Sequence, residues 1–273
     1  MPFLPEHIMA NRYSFEFFPP KTNVGREKLK DIRKQLAALN PEFFSVTYGA
    51  GGSTRDNTRD IVLETKNAGL SVAPHLSFGG DEESDILELL NNYKDAGVDR
   101  VVALRGDIPS GTGVTRLVYA RELVEFIRKH TGDHFQLDVA AYPEIHPDAK
   151  NYNSDISFLK DKFDAGANSA ITQYFFSADS YFYFLDACDT AGIDNPLYPG
   201  IMTITSYKNL ARFSRNCGAE IPRWLSQKLD GYGDDQQSII EFGNEFVTEL
   251  CHILMEGGAP GMHVYNMNQI EPI

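Results

Sequence analysis

The chain offers little sulfur chemistry. Its three cysteines, Cys188, Cys217 and Cys251, are far apart and form no C-x-x-C pair. That argues against a disulfide framework or a thiolate metal cluster and fits a reducing compartment, so a cytoplasmic protein without a metal is expected. Long apolar runs are missing too, since no stretch reaches the ~18 residues that suggest a membrane helix. The start, MPFLPEHIMANRY, lacks a basic segment followed by an apolar one and does not read as a secretory leader. No G-x-G-x-x-G occurs, which removes the dinucleotide fingerprint of a doubly wound sheet. Basic residues are the minority: 25 Lys and Arg against 38 Asp and Glu give a formal net charge of −13. Such a surface repels nucleic acid and anionic lipid, so neither is an expected partner. An anionic ligand then needs a local basic patch, and each Lys or Arg near a strand end gains weight.

What is present is alternation. Short β-rich runs, SFEFF (14–18), FFSVTYG (43–49), SVAPHLS (71–77), RVVALRG (100–106), QLDVAAYP (136–143), SAITQYFF (169–176), LYPGIM (197–202) and GMHVYNM (261–267), are separated by amphipathic stretches. Leu29, Ile32, Leu36 and Leu39 recur at helical spacing, as do Ile86, Leu89, Leu90 and Tyr93, and later Phe242, Phe246, Leu250 and Leu254. Glycines in AGL, DAGV, DAGA and TAGI mark helix ends. Eight such alternations in 273 residues predict a single (β/α)8 TIM barrel over residues 1–273, an α/β fold, with a doubly wound sheet as the alternative. The long last connection, roughly 203–260, is expected to hold two or three helical segments, including RWLSQKL and the stretch from Asp234 to Met255.

In a barrel, the groups that do chemistry come from the C-terminal ends of the strands. Glu16, Thr47, His75, Arg105 with Asp107, Tyr142 with Glu144 and His146, Gln173, and Tyr265 with Asn268 all fall there. Convergence of polar side chains on one rim points to a site. In the first strand Phe15 and Phe17 share one face and Ser14, Glu16 and Phe18 the other, so Glu16 is expected to point into the barrel mouth. A carboxyl placed among phenylalanines is poorly solvated and its pKa is expected to rise. The strand alone equally allows a carboxylate tied to a basic neighbour.

SFEFFPPKT, SVTYGAGGSTRD, APHLS, VALRGD, AAYPEIHPDAK, AGANSAITQYFF, and YPGIM followed by IPRWL together resemble bacterial methylenetetrahydrofolate reductase, in order, from about residue 14 to 268. The resemblance implies an FAD-containing barrel, a homo-oligomer, that takes a hydride from NADH or NADPH and reduces 5,10-methylenetetrahydrofolate to 5-methyltetrahydrofolate by ping-pong transfer. This is the one-carbon chemistry that supplies methionine synthesis. It also implies that the regulatory C-terminal domain of the eukaryotic enzymes is absent. Glu16 is then the general acid that protonates folate N10. Asp107 is a second carboxylate that contacts flavin and pterin; from the residues alone it reads as well as a cap of the 109–113 turn. Thr47, Tyr48, Ala50, His75, Arg105, Gly106, Ala120, Tyr142, His146, Ala149, Asp155 and Lys162 join Asp107 in the FAD set. For His75 the alternative is a satisfied core residue. Arg105 is left between a flavin contact, a pair with Asp107 and a structural salt bridge. His146 precedes Pro147, which is expected to open the next helical stretch and offer a diphosphate a helix start. Glu16, Thr47, Asp107, Gln173, Asn209, Phe213 and Gln269 form the substrate set, although Gln173 also reads as an inward residue paired in the barrel and Phe213 as a core helix residue.

Three departures from the family pattern stand out. Phe158 and Asp161 occupy positions where well-known members carry Asn and Arg near the FAD diphosphate, so Lys162, Lys160 or Lys150 must compensate. Asn209 replaces a Gln near the folate tail, and Gln269 stands where some members have Arg. Two other readings compete: another FAD barrel oxidoreductase of the proline dehydrogenase type, and a catalytically silent folate-binding barrel that has lost FAD.

Overall fold

The computed structural model describes residues 12–48, 55–78, 82–106 and 119–270. Eight parallel strands close a barrel in chain order, β1 to β8, with β8 paired back to β1. The first half alternates β1 (Arg12–Phe17), α1 (Asn23–Ala37), β2 (Phe43–Val46), α2 (Arg55–Asn67), β3 (Val72–Leu76), α3 (Glu83–Asp95), β4 (Arg100–Ala103) and α4 (Ala120–Thr131). The second half continues with β5 (Gln136–Ala141), α5 (Tyr152–Asp164), β6 (Ser169–Tyr174), α6 (Ala178–Thr190) and β7 (Leu197–Met202). Three helices, α7 (Tyr207–Cys217), α8 (Arg223–Gly231) and α9 (Gln236–Glu256), then precede β8 (Gly261–Tyr265). The predicted TIM barrel is thus the observed fold, and the last connection carries the expected helical segments.

Most of the strands end earlier than the apolar runs do. β2 stops at Val46, β4 at Ala103 and β5 at Ala141. Beyond those points the chain leaves the hydrogen-bonded ladder and fans into the loops of the mouth, so Thr47, Arg105 and Tyr142 sit just past a strand rather than within it. β1 ends at Phe17 because Pro19 and Pro20 follow. Helix α1 ends at Ala37, so Leu39, predicted as a helical position, lies in the turn after it. Its left-handed neighbour Asn40 (φ 57°) helps to turn the chain into β2. In DAGV, Gly97 takes φ +77°, the conformation that lets the chain leave α3 sharply for β4.

Two cores result. Phe15 and Phe17 are fully buried between strands and helices, where Phe17 stacks on Phe44 at 5.0 Å between centroids. Burying such a ring contributes roughly 1.5–3 kcal/mol. Inside the barrel, Phe43, Ala73, Val102 and Ile171 form a second cluster, with Leu104, Tyr198 and Tyr265 packed against it. The N-terminal end of the barrel is closed by charge. Arg100 reaches Glu42 at 2.6 Å and the fully buried Asp138 at 3.4 Å, and its guanidinium lies 4.2 Å over the Phe43 ring. Ser169 donates to the other oxygen of Asp138. This partnering is what makes a buried carboxylate tolerable.

Candidate active site

Glu16 points into the barrel mouth as the alternation predicts, and only 6% of it is exposed. Its surroundings differ from the expected phenylalanine cage. Phe15 and Phe17 face the helices, so the dry setting comes instead from the barrel interior. His75 Nε2 of β3 lies 3.4 Å from Glu16 Oε2, and His263 Nε2 of β8 lies 3.8 Å from the same oxygen. Burial raises the Glu16 pKa above its ordinary value, while the charge interaction with His75 pulls the other way. Burial also lowers both imidazoles to about 4, so each is neutral at pH 7. No cation among the described residues offsets that burial, so the pocket favours the protonated form of Glu16.

Sequence reasoning missed the floor of this pocket. His263 Nδ1 is 2.6 Å from Ser14 Oγ and its Nε2 is 3.3 Å from Ser45 Oγ, so one ring spans β8, β1 and β2 beneath Glu16. Alternation in GMHVYNM, which puts His263 and Tyr265 on one face, was the available signal. The Tyr265 hydroxyl donates to the Thr172 carbonyl at 2.8 Å, and its ring meets His263 edge-on at 5.3 Å.

Among the described residues, the buried polar atoms without a hydrogen-bond partner include Thr47 Oγ1 and His75 Nε2 at the mouth. Both belong to the set predicted to meet flavin or substrate. Buried polar atoms normally find partners, so these two orphans at the strand-end rim call for an explanation. Tyr48 and Gly106 lie half-buried on the same rim, and Ala120 opens α4. Ala50 and Asp107 lie outside the described residues.

The basic cluster is on the β4–β5 side. Lys162 donates its ammonium to the Ala140 carbonyl, and burial lowers its pKa to about 8 against the raising effect of Asp155. Asp155 accepts from the His146 amide at 2.8 Å, and burial raises its pKa. The His146 ring packs edge-on against Tyr142 at 4.4 Å and is pushed down in pKa by burial and then by Arg105. Arg105 is bound to Asp148 at 2.6 Å, which gives it a structural ion pair on the rim. Pro147 does not open a helix. Residues 146–149 form a turn closed by the Ala149 amide on the His146 carbonyl at 2.8 Å. Helix α5 begins at Tyr152, because Asn151 caps the Ser154 amide at 2.9 Å. Of the residues that depart from the family pattern near the diphosphate, Phe158 is 58% exposed and Asp161 is half-buried on α5.

The remaining predicted substrate residues are spread out. Gln173 is half-buried, and its Oε1 accepts from the Tyr174 amide at 3.0 Å. Phe213 is no core residue; it is half-buried, with the Arg212 guanidinium 5.0 Å over its ring. Asn209 and Gln269 are exposed, at the start of α7 and after β8.

The family model for methylenetetrahydrofolate reductase matches residues 6–273. The chain belongs to the methylenetetrahydrofolate reductase family. It is 40% identical over 259 residues to the 5,10-methylenetetrahydrofolate reductase of Escherichia coli (strain K12), covering 94% of this chain and 86% of that one. It is 36% identical to methylenetetrahydrofolate reductase (NADH) 1 of Arabidopsis thaliana, where the match covers 94% of this chain and 46% of the plant protein. Among solved structures, an uncharacterized protein from Clostridium thermocellum that binds two copies of 5-methyl-5,6,7,8-tetrahydrofolic acid shares the fold, with a TM-score of 0.66 at 19% identity over 98% of this chain and 93% of that one. Family membership agrees with the resemblance carried by the strand-end motifs. Among the described residues no helix is long and apolar enough to cross a membrane, and no group of three or more His, Cys, Asp or Glu is arranged to hold a metal.

Proposed function

We propose that this family member is a flavin-dependent oxidoreductase that reduces 5,10-methylenetetrahydrofolate to 5-methyltetrahydrofolate with a nicotinamide nucleotide as the electron source. The observation that carries the reading is Glu16, a carboxyl buried at the mouth between two neutral imidazoles. The names of the bacterial and plant relatives support the same reaction.

The folate ring must open before it can accept a hydride, and opening needs a proton at N10. Glu16 would supply that proton, since burial disfavours its carboxylate and raises its pKa above the ordinary value. The proton leaves a Glu16 oxygen for N10, the N10–methylene bond breaks, and a cationic iminium remains on N5. Gln173, near the end of β6, would hydrogen-bond the pterin or the nicotinamide amide once its side chain leaves the Tyr174 amide. Asp107 would accept from the pterin amino group and favour the cation.

FAD fits the residues present. Thr47 Oγ1 and His75 Nε2 offer unpartnered polar atoms for the ring system. Lys162 and Arg105 supply positive charge beside His146 for the diphosphate. When bound, FAD supplies the two-electron carrier between nicotinamide and folate. Asp148 and Asp155 moderate that positive charge, and the Arg105 pair must loosen or share.

Colour tests the reading. The purified protein should bind FAD and turn yellow, NADH or NADPH should bleach it, and 5,10-methylenetetrahydrofolate should bring the yellow back. Failure of the folate to restore it would refute the reductase, and failure to bind FAD at all would leave a folate-binding barrel without redox chemistry.

A further inference from the structure

The hydrogen-bond ladder between β1 and β8 runs from Arg12↔Gly261 to Phe15↔Val264 and then stops, because the chain turns after Tyr265. One side chain continues it. Asn268 Oδ1 accepts from the Phe18 amide at 2.9 Å, and Asn268 Nδ2 donates to the Phe18 carbonyl at 2.7 Å. An amide side chain thus makes both bonds that a strand backbone would make, three residues beyond the end of the ladder. The turn that aims it is strained. Met267 and Asn268 both adopt left-handed φ angles, 53° and 55°. The Asn268 amide is received by Asn266 Oδ1 at 3.3 Å, and the Gln269 amide by the Asn266 carbonyl at 2.9 Å. Asn266 itself is buried.

Phe18 is two residues from Glu16 and is followed by Pro19 and Pro20, neither of which has an amide hydrogen to pair. The side-chain amide of Asn268 is therefore the polar grip on the end of β1 from the β8 side, while on the β2 side the Thr47 amide holds the Phe17 carbonyl at 2.9 Å. We propose that Asn268 is a positioning residue, its side-chain amide replacing the missing rung between β1 and β8 and so holding Glu16 in the dry mouth of the barrel. The inference rests on the role given to Glu16 above.

The groups that face Glu16 are Thr47 and Ser45 from β2 and its end, His75 from β3, and His263 and Tyr265 from β8. Among the described residues the titratable ones, His75, His263 and Tyr265, are all uncharged at pH 7. Water admitted by a loosened β1 end is then the principal way for the Glu16 carboxylate to become easier to form. An acid that ionises earlier stops donating at lower pH.

The test uses Asn268→Gly, which keeps a residue at home in left-handed φ but removes the amide, and Asn268→Ser, which can keep at most one of the two bonds and serves if the first variant does not fold. Hydrogen exchange of the Phe18 amide reads the grip directly and should speed up in both. The Glu16 carboxyl is titrated by infrared difference against Glu16→Gln, and its midpoint should fall by about one pH unit. In the loaded enzyme, bleaching by NADH should persist. Folate reduction should fall about tenfold on the alkaline side, with its limb moved down by the same unit. An unchanged carboxyl midpoint despite faster Phe18 exchange overturns the inference, and so does a parallel loss of FAD binding and both half-reactions. If the wild-type protein fails to reduce folate, the proposed function fails, while the infrared midpoint still decides the role of Asn268.

Discussion

His75 Nε2 stands 3.4 Å from Glu16 Oε2, yet the two do not form an ion pair at neutral pH. Burial takes His75 down to about 4 and pushes Glu16 up, so the contact joins a neutral ring to a carboxyl that resists ionisation. Such a pair is poor for stability and good for donating a proton. Glu16 has a folded pKa above its unfolded value, so its favourable contribution is complete below the unfolded pKa and is lost as pH rises through the folded one. Glu16→Gln removes that loss. The variant should gain stability relative to the wild type as pH rises from about 4.5, by up to ~1.4 kcal/mol per pH unit until the folded pKa is passed. Urea midpoints of both proteins at pH 4.5 and pH 8 check this, and equal differences at the two pH values would show that Glu16 is not burdened by its pocket.

The same substitution separates the two halves of the reaction. The amide keeps the shape of Glu16 but has no acidic proton. Reduction by NADH, followed as loss of flavin absorbance, should survive. Folate reduction should slow by roughly 10²–10⁴, the usual worth of a general acid. Equal slowing of both halves would assign Glu16 to binding instead.

The barrel itself was legible because eight apolar strand runs recur along the chain with amphipathic stretches between them, three of which show clear three-to-four spacing, and these patterns depend on local chain geometry. The direction of Glu16 was legible from alternation for the same reason. What surrounds Glu16 was not, because His75 and His263 lie far from it in sequence and meet it only when the barrel closes. The helix start misplaced at Pro147 has another cause. Proline suits a first helical turn, but Asn151 and Ser154 make a reciprocal cap four residues later, and that cap decides where α5 begins. Arg105 likewise found Asp148, a residue on the next loop that no spacing rule connects to it.

If FAD is held as proposed, Lys162 should give its binding a basic pH limit. Its pKa of about 8 lies below the ordinary lysine value because its ammonium is buried. Below that value it is a cation beside the place proposed for the diphosphate, and above it the charge is gone. FAD affinity should therefore weaken several-fold between pH 7 and pH 9, measured by quenching of FAD fluorescence on binding. Lys162→Met should bind more weakly at pH 7 and show a flatter profile. A wild-type affinity that is constant over this range would remove Lys162 from the diphosphate contacts.

The barrel wall two strands from Glu16 depends on a glycine for space rather than for its backbone angle. At Gly200 on β7 an added Cβ would overlap the Thr172 carbonyl oxygen and stand 2.6 Å from Tyr265 Cε2. The Thr172 oxygen is also the acceptor of the Tyr265 hydroxyl, and the Gly200 amide donates to Thr172 Oγ1 at 2.9 Å, so three strands meet within one close contact. Gly200→Ala must push β7 away from β6 or displace Tyr265, at a cost of about 1–3 kcal/mol for overpacking. The melting temperature should fall by roughly 2–4 °C for each kcal/mol lost. Because the nearest obstruction is backbone, adding Tyr265→Phe to Gly200→Ala should not restore the loss. Recovery in that double variant, seen in a urea titration, would place the conflict at the hydroxyl and not at the carbonyl of Thr172.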